Sequence, residues 1–288
     1  MKRRNFIQST VALSASSILL TTNLSAKETV KIEAWKGNIR HSVSRWCFNK
    51  YPLEEFLPIL KNMGIPALDL VGPKDWALLK KYGIDCSMCN GAEINLVDGW
   101  NEPKFHAQLI QQYSEMIPKV AAAGYQSLIC FSGNRRGMED EVGLKNCVEG
   151  LKQIMSLAEK HKVVIIMELF NSKVNHPDYM CDSTAWGVQL CDKLGSEQFK
   201  LLYDIYHMQV QEGNIIQTIQ DFHPYFAHYH TAGVPGRNEI NDSQELNYPP
   251  IMKAIVKTGF KGYVAQEFVP TYEDPIEALK EAILICDV

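Results

Sequence analysis

Apolar and polar positions follow one figure that recurs along almost the whole chain. Short strand-like runs read "IRHSVSRWCF" (39–48), "PALDLVG" (66–72), "IDCSMCNG" (84–91), "YQSLICFSGN" (125–134), "VVIIMELFN" (163–171), "FKLLYDIYH" (199–207), "FAHYHTAG" (226–233) and "GYVAQEFVP" (262–270). Between them, apolar residues recur at three- and four-residue spacing, the period of an amphipathic helix. In "PLEEFLPILKNMG", Leu53, Phe56, Leu57 and Leu60 share one face, and Gly64 suits the C-terminal cap.

Eight strand–helix units in the length of residues 27–288 predict a single-domain α/β fold, the (β/α)8 TIM barrel. A doubly wound open sheet would show a Gly-rich phosphate turn after its first strand. Here that strand runs into "NKYPLEEF", without such a turn. No linker, low-complexity tract or second domain interrupts the pattern.

Residues 1–26 stand outside it. "MKRRNFIQSTVALSASSILLTTNLSA" has a basic start, an apolar stretch over Val11–Leu20 and small residues ending at Ala26, the layout of a cleaved export signal. Arg3-Arg4 followed by Asn5, Phe6 and Ile7 resembles a twin-arginine signal, which predicts a periplasmic protein. The apolar core is too short and too rich in Ser and Thr to span a bilayer, so no membrane association is expected after cleavage.

Charge narrows the partners. The chain carries a net charge of -4, and loss of the three basic residues of the signal takes it to -7. Nucleic acid calls for clustered Lys and Arg and is therefore not an expected partner. Eight cysteines are scattered through apolar segments. Cys86-Ser87-Met88-Cys89 has the spacing of half a zinc or redox motif, but no second such pair completes it, and thiols packed in a strand explain it better.

In a barrel of this kind, chemistry sits at the C-terminal ends of the strands. The last four runs each end on a polar group: Glu168 in "IIMELF", Asp204 in "LLYDIYH", His230 in "AHYHTAG" and Glu267 in "VAQEF". Any one could be a helix cap or a satisfied core residue. Together they would converge on one spot, where three carboxylates repel unless a cation neutralises them. Such an oxygen-rich set suits Mn2+, Mg2+ or Co2+ better than zinc.

The chain resembles the hydroxypyruvate isomerase-like branch of the xylose isomerase-like barrels, a group that also holds ketose 3-epimerases. The resemblance covers about residues 39–270 and is carried by "SVSRWCF", "LDLVGPKDWALLKKYG", "FSGNRRG", "MELFNS", "YDIYHMQ", "HYHTAGVPGRNEI", "LNYP" and "AQEF". It implies that Glu168, Asp204, His230 and Glu267 hold a divalent metal and that Glu168 and Glu267 are the acid–base pair. It departs from the branch in two ways. Hydroxypyruvate isomerases tend to have Gln where this chain has His230, as the epimerases do, and the usual member lacks an export signal.

The implied reaction is proton transfer beside a carbonyl, through an enediolate, on a small carbohydrate or hydroxy-carbonyl compound. Isomerisation, 3-epimerisation and a lyase or dehydratase reaction share that step, and a non-catalytic periplasmic sugar binder is the alternative outside enzymes. His207, just past the sixth strand, and Arg237, in "GVPGRNE", are candidates for holding substrate oxygens; a surface ion pair is the other reading of Arg237. His41 and Arg45 share a face of the first strand, within reach of the barrel mouth. Arg135 and Arg136 are loop residues for substrate or a neighbouring subunit. Trp46, Trp76, Trp100 and Trp186 read as core or interface. Residues 171–180 form a long loop, a candidate lid. Symmetric homo-oligomers are common among such barrels.

Overall fold

A computed structural model describes residues 35–288; the proposed signal over 1–26 lies outside them. Eight strands form one closed barrel in chain order, each parallel to its neighbours: β1 Arg40–Ser44, β2 Ala67–Val71, β3 Asp85–Cys89, β4 Ser127–Cys130, β5 Val164–Glu168, β6 Phe199–Asp204, β7 Phe226–Thr231 and β8 Tyr263–Gln266. The barrel closes where Arg40 through Val43 of β1 pair with Tyr263 through Gln266 of β8.

Helices α1 Leu53–Asn62, α2 Pro73–Tyr82, α3 Pro103–Ala122, α4 Asp140–His161, α5 Thr184–Leu194, α6 Ile205–Gln211, α7 Ile215–Phe222, α8 Tyr248–Lys257 and α9 Pro275–Cys286 fill the connections, with two between β6 and β7. Their apolar stripes cover the sheet: α1 buries Phe56, Leu57 and Leu60, and α4 buries Leu144, Leu151 and Ile154. Strands are thus buried on both faces, which is why they read as nearly continuous apolar runs. No described helix is long and apolar enough to cross a membrane.

The structure corrects several expectations. The first strand stops at Ser44, and Arg45–Phe48 is a 3-10 turn in which the Arg45 guanidinium donates to the carbonyls of Phe48 (2.7 Å) and Tyr51 (2.9 Å). Strand parity therefore does not carry from His41 to Arg45. His41 instead lies beside Trp35 and 3.8 Å from Asp287, away from the mouth. Arg135 and Arg136 are occupied in ion pairs, the first with Asp140 and Asp182 and the second with Asp98 and Glu102. As the sequence pattern predicts for thiols packed in a strand, Cys86 and Cys89 are free, buried in β3 and 3.5 Å apart.

Candidate active site

Glu168, Asp204 and His230 sit on the last turns of β5, β6 and β7, and Glu267 follows β8 directly. All four are at most 2% exposed, and one ligating atom from each lies within 4.8 Å of the others. His230 Nδ1 is 2.8 Å from Glu267 Oε2, 3.2 Å from Glu168 Oε1 and 3.9 Å from Asp204 Oδ2.

Asp204 divides its oxygens between two tasks. Oδ1 accepts the His207 backbone N–H at 3.0 Å and so caps α6. Oδ2 faces the cluster, 3.7 Å from the Arg237 guanidinium. One residue thus caps the helix and faces the cluster.

Burial acts on each carboxyl, and neighbours decide the outcome. Burial pushes Glu168 up to about 8; His230 opposes the rise while Glu267 and Asp204 add to it. Asp204 is raised to about 6 by burial, against the pull of Arg237. Burial also disfavours the Glu267 charge, but the His230 and Arg237 cations outweigh it and hold Glu267 well below the carboxylate range. Glu267 is further fixed through Oε1, which accepts from Ser44 Oγ (3.1 Å) and Trp46 Nε1 (2.8 Å).

Arg237 comes from the loop after β7 and lies against Glu267 Oε2 at 2.5 Å, its side chain only 15% exposed. Its ion pair is a buried one at the cluster, which removes the surface ion-pair reading. The loop is shaped to put it there. Arg237 has a φ of +61°, its N–H donates to Gly233 O (2.9 Å), and its carbonyl accepts from Val269 N–H (2.7 Å). Gly233 is required because a Cβ there would meet Glu239 O at 2.1 Å.

His207 is fully buried beside the cluster, with Nε2 3.7 Å from Asp204 Oδ2. Asn171 sets its tautomer. The Asn171 Oδ1 accepts the N–H groups of Val174 (3.1 Å) and Asn175 (2.9 Å), which turns Nδ2 toward His207 Nδ1 at 2.6 Å. Nδ1 is then an acceptor and the proton sits on Nε2, which has no hydrogen-bond partner. Burial and the Arg237 charge hold this imidazole neutral.

The loop over 171–180 leans on the same group. His176 stacks on Phe170 with ring centres 4.1 Å apart, Phe170 meets His207 edge-on, and Tyr206 donates to Asn175 Oδ1 at 2.8 Å.

Sequence reading missed three parts of the site. Asp69 of β2 and His228 of β7 lie beneath His230: Asp69 Oδ2 is 2.9 Å from His230 Nε2, Oδ1 is 3.0 Å from His228 Nε2, and Ser87 Oγ donates to Oδ1 at 2.7 Å. The i, i+2 spacing of His228 and His230 was the available signal, since it puts both on the axial face. Trp46 is the third. Trp76, Trp100 and Trp186 are buried, but Trp46 is 39% exposed and bonded to Glu267.

Three carboxylates and one imidazole form a hard, oxygen-rich donor set suited to Mn2+, Mg2+ or Co2+. Glu168 Oε1 is buried, and its approach to His230 lacks the alignment of a hydrogen bond. An uncompensated buried oxygen in such a set fits a divalent cation. Asp69, His228 and His230 also lie close enough to be ligands, but Nε2 of His230 is already engaged with Asp69, the arrangement of a histidine ligand and the carboxylate that orients it.

A family model described as a xylose isomerase-like TIM barrel matches residues 76–285. A human protein provisionally named hydroxypyruvate isomerase is 30% identical over 132 residues, covering 46% of this chain and 47% of its own length. The chain thus spans about half the length of that relative. The hydroxypyruvate isomerase of Escherichia coli is 28% identical over 225 residues, 76% of this chain and 79% of its own. The 2-oxo-tetronate isomerase of Cupriavidus necator is 28% identical over 123 residues, 43% of this chain and 46% of its own. Among solved structures, an AP endonuclease of family 2 from Brucella melitensis superposes with a TM-score of 0.75 at 20% identity, over 84% of this chain and 96% of that one. The 3-keto-D-glucoside 4-epimerase of E. coli gives 0.71 at 18%, over 85% and 98%. At these identities the structures show the fold alone.

Proposed function

Because the chain belongs to the xylose isomerase-like TIM barrel family, we propose that it is a metal-dependent isomerase acting on a small hydroxy-carbonyl compound or keto-sugar through an enediolate. Glu168, Asp204, His230 and Glu267 carry this reading: four buried donors from four successive strands meet within 4.8 Å. The isomerase names of the E. coli and C. necator relatives support proton transfer beside a carbonyl.

Mn2+, Mg2+ or Co2+, bound at these four residues, supplies a Lewis acid that stabilises negative charge on substrate oxygens. Glu168 and Glu267 take the proton from carbon and return one to the neighbouring carbon. Both approach Nδ1 of His230, at 3.2 and 2.8 Å, which keeps both beside one substrate position. His207 donates its free Nε2–H to a substrate oxygen, and its neutrality keeps it from repelling the cation. Arg237 holds Glu267 ionised and offers its remaining N–H groups to the substrate. Phe170 and His176 pack their rings against His207 and hold it in place.

A 3-epimerase using the same enediolate is the second reading. His230 favours it, because the epimerases have His where hydroxypyruvate isomerases tend to have Gln. On the reading of residues 1–26 as an export signal, either reaction would run in the periplasm, on a carbohydrate met there.

Solvent exchange tests the reading. With Mn2+, Mg2+ or Co2+ added, incubation of keto-sugars and hydroxy-carbonyls in heavy water introduces deuterium at carbon, and product analysis separates isomer from epimer or cleavage. Glu168→Gln and Glu267→Gln each lower exchange by roughly 10²–10⁴-fold, the range for a lost general acid or base. Sugars that bind and return unlabelled would leave a binder in place of an enzyme; full activity in either variant would remove the paired-base assignment.

A further inference from the structure

A concavity lies on the β1–β3 side of the barrel mouth. It has a volume of about 600 Å³ and lies where β1, β2 and β3 meet their following loops. That is within the roughly 300–1,000 Å³ of small-molecule sites and more than a three-carbon substrate needs.

Trp46 links this cleft to the catalytic cluster. Its indole N–H is bound to the Glu267 carboxylate at 2.8 Å, and its ring, 39% exposed, lines the cleft. A molecule reacting at Glu267 therefore has the cleft as its neighbour on the β1 side. The floor includes Leu70, a non-glycine residue with a φ of +56°, at the point where the β2 register shifts. Backbone strain of this kind at a bulge gathers at working sites.

The lining chemistry selects the ligand. Asn49 and Asn90 border the cleft, and among the described residues neither side-chain amide has a hydrogen-bond partner within the protein. Lys74 and Asp75 sit together at the rim, 4.0 Å apart, so their charges offset. Arg45 also borders the cleft, held in place by one N–H on the carbonyl of Phe48 and one on that of Tyr51. An aromatic ring beside two free side-chain amides suits a polyhydroxylated ring.

From these observations we infer that the β1–β3 cleft is a subsite for a glycosyl unit attached to the reacting keto-sugar. The inference deepens the enolisation reading and rests on it. Its substrates are keto-disaccharides or keto-glycosides, with the enolisable sugar at Glu168 and Glu267 and the second ring beside Trp46. It also accounts for an exposed indole so close to a catalytic carboxylate.

The metal-loaded protein is given D-fructose and three glucosyl-fructoses with a free carbonyl, turanose, maltulose and isomaltulose, linked through different fructose oxygens. Deuterium incorporation from heavy water gives kcat/KM for each. At least one disaccharide is expected to exceed fructose about tenfold, and Asn90→Ala or Asn49→Ala to reduce that ratio by a similar factor, mainly through KM, as for a lost hydrogen bond. Exchange of fructose with no disaccharide preference, or a preference unmoved by both substitutions, overturns the subsite and leaves the enolisation reading standing. If no sugar exchanges, the enolisation reading fails. Calorimetry with the same disaccharides then decides the subsite: binding weakened by Asn90→Ala retains it, and no binding overturns it.

Discussion

Asp69 joins two histidines of β7, its Oδ2 lying 2.9 Å from His230 Nε2 and its Oδ1 3.0 Å from His228 Nε2, with all three side chains at most 1% exposed. The bond to Nε2 fixes the His230 ring and turns Nδ1 toward Glu168, Asp204 and Glu267. A carboxylate behind a histidine ligand orients the ring and raises its basicity.

Asp69→Asn keeps the shape but offers one acceptor oxygen where two histidines need one each. Metal affinity, measured by chelator competition, is expected to fall roughly 10–100-fold, the usual loss for such a partner. Nitrogen NMR of His230 should show a mixed tautomer, with Asp69→Glu recovering part of the affinity. Wild-type affinity and a wild-type His230 signature in Asp69→Asn would show that the ring is held by packing alone.

Asn171 permits a sharper test of His207. Asn171→Asp retains the oxygen that accepts the Val174 and Asn175 N–H groups, so the loop turn should persist. The atom facing His207 Nδ1 changes from donor to acceptor. Burial and Arg237 oppose a second proton on this imidazole, so the single proton moves to Nδ1 and Nε2 loses its hydrogen. Exchange kinetics should fall by about 10²–10³ in kcat, the scale for one lost donor to a developing oxyanion. The melting temperature should fall, because a buried carboxylate replaces the amide and the Nδ2 bond to Asn175 Oδ1 (2.8 Å) is lost, so kcat is read on the folded variant. Unchanged kcat would remove His207 from substrate activation.

The barrel was legible because eight runs of similar length alternate with helical stretches, and a parallel sheet covered on both sides leaves nearly continuous apolar strands. Glu168, Asp204, His230 and Glu267 were legible for a related reason: each is the polar residue ending such a run. Asp69 was not, because a single acid within "PALDLVG" looks the same whether it points at helices or at the axis. Its partners lie 159 and 161 positions away in the chain, and only closure of the barrel joins them. The bonds from Ser44 and Trp46 to Glu267 cross the β1–β8 seam and are equally invisible locally. The early end of β1 was missed because the pattern of "RHSVSRWCF" continues while Arg45 folds back onto the carbonyls that follow.

Gly233 joins stability to chemistry. Its Cα faces the carbonyl of Glu239, and the Glu239 side chain accepts from Thr271 N–H (2.5 Å) and Thr271 Oγ1 (2.9 Å), tying the loop after β7 to the one after β8. Gly233 also bonds through its backbone to Asn238 and Arg237, at 2.9 Å each. In Gly233→Ala the new methyl meets backbone rather than a flexible side-chain end, so one of the two strands of this loop must shift. Overpacking of this kind costs about 1–3 kcal/mol, which for a domain of this size lowers the melting temperature by about 2–4 °C per kcal/mol. Because Arg237 N–H is anchored on the Gly233 carbonyl, the guanidinium moves away from Glu267, and kcat/KM should fall about 10–100-fold, as expected when a positioned group is displaced by about an ångström. Thermal melts and exchange kinetics on the same preparation check both effects together. A variant that melts lower yet keeps full activity would show that Arg237 is held by Glu267 and Asp204 rather than by its loop.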